Sequence, residues 1–584
     1  MSITSPDTQV FPGGAFLTQD FPVAELLTPD NLSEEHRMIA QTAERFMVER
    51  VMTNADKIEK KDHEMLKTVL RESAELGLLG AEIPEEYGGT GLDLLSTMLI
   101  TEQIARLASF SVSFGGHSGI GTAPVRYFGN EEQKKKWLPK LAACEVISCY
   151  ALTENHSGSD ALAARTKAVL SEDGQHYILN GSKMWITNGG IADLSMVFAK
   201  VDGKHFTCFV VETNTPGFAA SAEEHKMGLH GSSTTALTLE NVKVPVENLV
   251  GEIGKGHKIA LNVLNLGRFK LGAWCAAAAK YALNDAISYS KDRTQFGKSI
   301  CEFGAIRYKL AQMAVRCWVG DSMNYRTAGM IETSLGKTDE KDSVAALKAI
   351  EEYVAECSIL KVACSEYLDY VVDEAVQIHG GYGYSAEYAV ERHYRDSRIN
   401  RIFEGTNEIN RLTITGSILK KAMSGKLNLA GGVTEVESNV LQAEKKLVGN
   451  AKKAALLAAG TAIQLVATDS PDEKHQETLM RIADLAIEVF AMDSTWLRAA
   501  KMAGEKGEDK IEFQKDILNV FLVDSTTRLW TNARQLLANL LPAGEALQKT
   551  IGKLDYLVGA PPANTQVPLQ RIAARLLEAG KYTA

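Results

Sequence analysis

Between residues 151 and 250 helical periodicity gives way to short β-prone runs separated by Asx-Gly pairs: Asp173-Gly174, Asn180-Gly181, Asn188-Gly189 and Asp202-Gly203. Such pairs accept the left-handed backbone of tight hairpin turns. The runs around them (177–179, 194–201, 206–212 and 236–242) predict a small antiparallel β domain. On both sides the apolar spacing is helical. Residues 31–150 begin with Asn31-Leu32-Ser33-Glu34-Glu35, a helix start, and carry stripes at 65–79 and 93–108. Stripes at 258–290, 304–330, 341–378 and 385–397 predict a helical bundle over 251–421. Residues 422–584 add helical segments at 437–467, 474–504 and 509–541, then a proline-containing tail. With an N-terminal extension over 1–30, the layout is α+β: an N-terminal helical domain, a central antiparallel β domain, a helical bundle and a C-terminal helical extension. Crevices between such layers suit a flat cofactor.

A chain of 584 residues holds several packed units. Its net charge of −10, with no long Lys/Arg block, argues against nucleic acid as a partner. Residues 1–30 carry no Lys or Arg and read as neither signal nor transit peptide. No run approaches the ~18 apolar residues of a membrane span. The eight cysteines form no Cys-x-x-Cys pair and no zinc spacing with histidine. The expectation is a cytoplasmic protein with free thiols.

No P-loop is present, and Gly88-Gly89-Thr90-Gly91 follows no strand, so it reads as a turn. The chemistry points elsewhere. In 401–409 (Arg-Ile-Phe-Glu-Gly-Thr-Asn-Glu-Ile), Glu404 follows an apolar flank and precedes a glycine. A helix with Thr406 as N-cap and a stripe through Ile409, Leu412, Thr413, Gly416 and Leu419 comes next. Desolvation there would raise the carboxylate toward the pKa of a working base; a carboxylate serving only the helix dipole would look the same. The stretch 151–160 (Ala-Leu-Thr-Glu-Asn-His-Ser-Gly-Ser-Asp) offers hydroxyls and exposed backbone for a polar ring edge or a phosphate. Trp185 and Thr187, at a strand end, offer a stacking face and a donor for a flavin. Arg392, Arg395, Arg398 and Arg401 form a basic stripe, suited to anionic CoA or an acidic redox partner, or to ion pairs along a helix face.

Five motifs occur in order: Thr153-Glu154 with Ser157-Gly158-Ser159-Asp160, then Trp185-Ile186-Thr187-Asn188-Gly189, Arg293-Thr294-Gln295-Phe296-Gly297, Gln377-Ile378-His379-Gly380-Gly381 and Phe403-Glu404-Gly405-Thr406. Together they resemble the acyl-CoA dehydrogenase family from about residue 30 to 421, and the extension resembles that of its very-long-chain branch. The resemblance implies FAD as cofactor. Thr153 would contact the flavin pyrimidine edge, Ser159 would lie where cofactor and CoA meet, Trp185 would pack on the flavin, and Thr187 would hydrogen-bond near N5. Arg293, Gln295, Phe296 and the loop with Gln377, Gly380 and Gly381 would reach the FAD of a neighbouring subunit. Thr406 and Glu408 would complete the site near the diphosphate and adenosine. Arg268 would bind the CoA moiety, and Gly405 would touch substrate beside the base.

Glu404 would then take the α-proton of the acyl thioester while Cβ gives a hydride to flavin N5. Gly267 stands where the isovaleryl-CoA branch carries its base, which leaves Glu404 without a rival. Asn155-His156 and Gly304 replace a proline and an FAD-binding glutamine common in relatives. Gly115-Gly116-His117 falls where relatives set pocket depth; small residues there admit a long chain, and a turn glycine would look the same. The family also implies an electron-transfer flavoprotein as acceptor and a homodimer, with at most weak peripheral membrane contact. An acyl-CoA oxidase, or a flavoprotein scaffold with vestigial activity, is the alternative.

Overall fold

The computed structural model describes residues 9–338, 343–466, 475–559 and 563–583. Parts of expected segments at 1–8, 341–342, 467 and 474 lie outside the described residues, as do 560–562 and 584 of the C-terminal extension. Two compact units are present. The first holds Ser33–Lys270 and Leu335–Glu351; the second holds the described residues of Ile3–Leu32, Leu271–Ser334 and Glu352–Ala584.

In the first unit, eight strands form one sheet: β1 (Ser148–Ala151), β2 (Lys167–Leu170), β3 (His176–Thr187), β4 (Leu194–Val201), β5 (His205–Glu212), β6 (Phe218–Ala220), β7 (Thr234–Pro245) and β8 (Leu249–Val250). Their order is β6-β7-β3-β2-β4-β5-β8, with β1 beside β4. The ladders are antiparallel except β1–β4 and β2–β4, which are parallel. Only two of the four Asx-Gly pairs are hairpin turns. Asp173-Gly174 joins β2 to β3, and Asp202-Gly203, with φ of 52° and 69°, joins β4 to β5. Asn180-Gly181 lies inside β3 at a register shift, and Asn188-Gly189 follows β3, whose next strand in the chain, β4, is not its neighbour in the sheet.

Both faces of the sheet are covered, so β4 is buried along nearly its whole length. Val197, Ala199, Phe209, Leu237 and Leu239 pack with the helical Phe46, Met47, Phe110 and Phe114. Met196, Phe198, Phe206 and Val210 pack with Trp137, Leu138, Leu141, Ile259 and Val263. Ser33 caps the helix Glu34–Phe46, its hydroxyl accepting from His36 N at 3.2 Å.

In the second unit, the helix Val354–His379 packs on Asn407–Met423, which packs on Gln476–Lys506. Gln442–Val466 and Glu512–Leu540 complete this helical layer. The proline-containing tail is helical too: Glu545–Val558 and Gln566–Ala579 pack on Glu512–Leu540. Pro568 falls in the first turn of its helix, where the missing N–H costs nothing.

The N-terminal extension is tied down. Gln19 bridges to Thr434, and Gly14 N donates to Glu356 Oε1 at 2.6 Å. Lys452, fully buried, reaches Asp20 and Asp493, each at 2.9 Å, and Arg326 pairs with Asp493 at 2.8 Å. Seven of the eight cysteines are buried free thiols, and Cys301 is partly exposed.

Candidate active site

Within the first unit, the loop after β1 is pinned by a pair of 3.1 Å hydrogen bonds between the backbones of Glu154 and Ser157. Thr153 is half-buried; its carbonyl accepts from Met184 N at 2.9 Å, which fixes it against β3. Ser159 is exposed on the same loop. Trp185 sits at a bulge of β3 with φ of 56°, and 63% of its surface faces solvent. The bare indole thus presents an open face large enough for a flat ring to cover. Two residues on, Thr187 is half-buried at the strand end, and a Cβ on Gly116 would stand 3.0 Å from its methyl group. The structure thus gathers Thr153, Ser159, Trp185 and Thr187 onto one loop and the end of one strand. Arg268 is buried in the helix Gly256–Asp292, where its Nη1 donates to Asn265 Oδ1 at 3.1 Å.

His117 follows the two glycines and is buried. Its Nδ1 accepts from Ser148 N and its Nε2 faces the Leu141 carbonyl, both at 3.0 Å. Burial pushes the imidazole down to about 4, so it is neutral in the folded chain. Its folded pKa lies below the unfolded value, so its contribution to stability is complete above about pH 6.5. That contribution falls away on acidification, by roughly 3 kcal/mol at pH 4. Urea unfolding across this window should show a smaller pH slope in His117→Gln than in wild type; equal slopes would refute the assignment.

In the second unit, β9 (Thr294–Gln295) and β10 (Lys298–Ser299) make a hairpin whose two turn residues, Phe296 and Gly297, have φ of 52° and 80°. This is a two-residue turn of the I′ kind, and it holds Phe296 outward at 93% exposure. Beside it is a cavity of about 770 Å³ lined by Arg293, Gln295, Phe296, Gly380 and Gly381 among others. Gln377 is exposed one turn earlier and stays off the lining. A Cβ on Gly380 or Gly381 would meet no atom within 4 Å, so the backbone there is bare to an approaching ligand.

Sequence reasoning missed the aromatic walls. Tyr289 stacks on His379 at 4.0 Å, and the Arg293 guanidinium lies 5.3 Å from the ring centre of Tyr382. Only the spacing of Tyr382, Tyr384 and Tyr388 around the glycine loop hinted at them.

Glu404 has φ of 58° and Gly405 of 79°, two successive left-handed residues just before the helix Asn407–Met423. A glutamate in that conformation is strained by about 1–3 kcal/mol and persists only where its surroundings enforce it. The enforcement is visible. Thr406 caps the helix, its Oγ1 accepting from Ile409 N at 3.3 Å. Asn410 Nδ2 donates to the carbonyls of Glu404, Gly405 and Thr406 at 3.3, 2.8 and 3.0 Å. Asn407 accepts from the buried Lys361 at 2.6 Å, and Arg411 clasps Glu366 through two bonds of 2.8 and 3.0 Å. The backbone of Glu404 is thereby held, and the residue is half-buried. Glu408 is exposed in the first turn, and its own backbone N–H leads the interactions that lower its pKa. The basic stripe is ion-paired where Arg395 meets Glu391 and Arg401 meets Asp369, each at 2.8 Å.

Family models for the acyl-CoA dehydrogenase N-terminal, middle and C-terminal domains match residues 33–145, 149–242 and 254–419, and a further C-terminal domain model matches 450–554. The chain belongs to the acyl-CoA dehydrogenase family. A probable acyl-CoA dehydrogenase of Bacillus subtilis strain 168 is 45% identical over 586 residues, covering 98% of both chains. The mitochondrial very long-chain specific acyl-CoA dehydrogenase of Mus musculus is 32% identical, covering 90% of this chain and 83% of its own. An acyl-CoA dehydrogenase from Bacillus anthracis, solved in complex with FAD, superposes with a TM-score of 0.95 at 45% identity, over 99% of this chain and 100% of that one.

This acyl-CoA dehydrogenase is therefore an FAD-dependent oxidoreductase, and its residues fit that cofactor: an arginine beside bare glycine backbone suits a diphosphate, and the open Trp185 face suits a ring. Gly381→Ala should weaken FAD binding several-fold without lowering the apoprotein Tm, whereas Gly380→Ala, at φ of 59°, should lower both. Titration of the apoproteins by flavin fluorescence checks this; unchanged affinity in both would remove the glycine loop from the cofactor site.

Proposed function

We propose that this enzyme dehydrogenates long-chain saturated acyl-CoA to trans-2-enoyl-CoA in fatty-acid β-oxidation, with Glu404 as the base. The observation that carries the assignment is the enforced left-handed backbone of Glu404. Strain held in place by a cap and by an asparagine amide that bridges three successive carbonyls marks a residue whose backbone is kept in one orientation for work. Glu404 removes the α-proton, and the half-buried setting leaves its carboxylate only partly solvated.

Thr153, Ser159, Trp185 and Thr187 would hold the flavin end of FAD, while Arg293, Gln295, Phe296, Gly380 and Gly381 would hold the FAD of a second copy. Bound FAD supplies the acceptor for the hydride that leaves Cβ. The outward Phe296 supports a homodimer, since a phenyl group left 93% exposed is covered at low cost by a partner. The match to the mouse very-long-chain enzyme across the extension and the empty space at the Gly115 Cβ position favour a long acyl chain. Electrons then pass to an electron-transfer flavoprotein. Among the described residues no helix is long and apolar enough to cross a membrane.

Turnover with a dye acceptor across a saturated series from butyryl- to stearoyl-CoA tests this reading. The optimum should fall among the long chains, with no hydrogen peroxide formed in air. A short-chain optimum would overturn the substrate assignment, and peroxide in step with product would make the protein an oxidase.

A further inference from the structure

Glu154 lies next to Thr153, yet its side chain turns inward. Its Oε1 accepts from Lys183 Nζ at 2.8 Å, from Thr166 Oγ1 at 2.6 Å and from Thr166 N at 3.1 Å; its Oε2 accepts from Arg165 N at 2.6 Å. Lys183 Nζ also donates to the Leu152 carbonyl at 3.2 Å. The two side chains are 2% and 0% exposed, which makes this a fully buried ion pair. His156 Nε2 stands 3.3 Å from Glu154 Oε2 at the loop surface.

We propose that Glu154 and Lys183 are a positioning pair that sets the flavin-facing residues Thr153 and Trp185 in register. The inference rests on the reading of those two residues as flavin contacts. Three chain segments meet at this one carboxylate: the loop carrying Thr153 and Ser159, the start of β2, and the stretch of β3 carrying Trp185. Leu152, whose carbonyl Lys183 holds, precedes Thr153, and Met184, whose N–H holds the Thr153 carbonyl, precedes Trp185. Trp185 has a backbone conformation that tryptophan rarely adopts, at a bulge beginning beside Lys183. A side chain anchored two residues earlier prevents that bulge from sliding along β3.

Burial alone would raise the Glu154 carboxyl, but the charge of Lys183 and the hydrogen bonds from Arg165 and Thr166 hold it at about 2, so it stays ionised throughout the working range. A pair present only for stability would be replaceable by apolar side chains of similar size, often without loss. A pair that positions would not be, because two backbone N–H groups need its oxygens.

The test compares Glu154→Gln, the double variant Glu154→Leu with Lys183→Met, and Thr153→Val with Trp185→Leu as separate references. FAD affinity of the apoprotein, the visible circular dichroism of bound flavin and apoprotein Tm are measured on each. Glu154→Gln should weaken FAD binding at least tenfold and change the flavin dichroism. The double variant, in which the Arg165 and Thr166 N–H groups still lack an acceptor, should regain only part of the lost Tm and neither the affinity nor the dichroism. If it regains all three, or if Glu154→Gln matches wild type in affinity and dichroism, the positioning role is refuted. Should Glu154→Gln fail to fold, the double variant decides alone. If Thr153→Val and Trp185→Leu both leave flavin affinity and dichroism untouched, it is the contact reading that falls.

Discussion

Glu404→Gln is expected to lower turnover by about a hundredfold to ten-thousandfold while FAD remains bound, the contribution of a positioned general base. The substitution keeps side-chain length and leaves the φ of 58° and the Asn410 clamp on the backbone as they are. What disappears is a group that accepts a proton. The α-proton of a thioester is weakly acidic, and Gly267 leaves no carboxylate at the alternative position on the helix Gly256–Asp292. Affinity for the substrate should change much less than turnover, the pattern of an interaction made only in the transition state. Steady-state assays of holoenzyme, normalised to flavin content, check this. Turnover within a few-fold of wild type would remove Glu404 from the mechanism.

The second large effect concerns the extension. Lys452→Met should destabilise the second unit by about 3–5 kcal/mol, the cost of leaving buried carboxylates without their shared cation. Lys452 neutralises Asp20 and Asp493 together, and Asp493 keeps only Arg326 when the ammonium is gone. Burial would raise Asp20, but Lys452 and the neighbouring Lys445 hold it below its usual value, so removing Lys452 works against an ionised group. Asp20 Oδ2 also accepts from Val436 N at 2.9 Å, so the loss spreads to the segment that leads into the extension. Urea unfolding followed by tryptophan fluorescence is a suitable probe, since Trp496 donates to the Leu441 carbonyl at 3.2 Å in the same region. Unchanged unfolding would show that residues 9–31 and the extension are held by apolar packing alone.

These two predictions differ in how far the sequence foretold them. The structural setting of Glu404 was legible because it is local: the glycine, the Thr406 cap and the start of the helix Asn407–Met423 all follow it directly. The helices of the bundle were legible from periodicity for the same reason. The Asx-Gly pairs were half legible. Asp202-Gly203 makes its hairpin, but Asn180-Gly181 does not, because the close approach of Thr166 to Gly181 makes that position a bulge within a long strand. That approach comes from a neighbouring strand and leaves no local mark. The last tail helix was hidden by Pro568, which its first turn tolerates.

Long-range charge pairs were the least legible. Lys452 and Asp20 are 432 residues apart, and Glu154 and Lys183 are 29 apart. Neither pairing alters composition or periodicity, so only folding brings the partners together. The aromatic cavity walls fail for a related reason: Tyr289 and His379 meet from different helices.

Glu404 and bound FAD are proposed to act together on the Cα–Cβ bond of a long-chain acyl thioester. Anaerobic addition of palmitoyl-CoA to wild type and to Glu404→Gln, with flavin absorbance recorded, tests it most directly. Wild type should bleach rapidly and form trans-2-enoyl-CoA, and the variant should keep its oxidised flavin spectrum. Bleaching of the variant at the wild-type rate would contradict it.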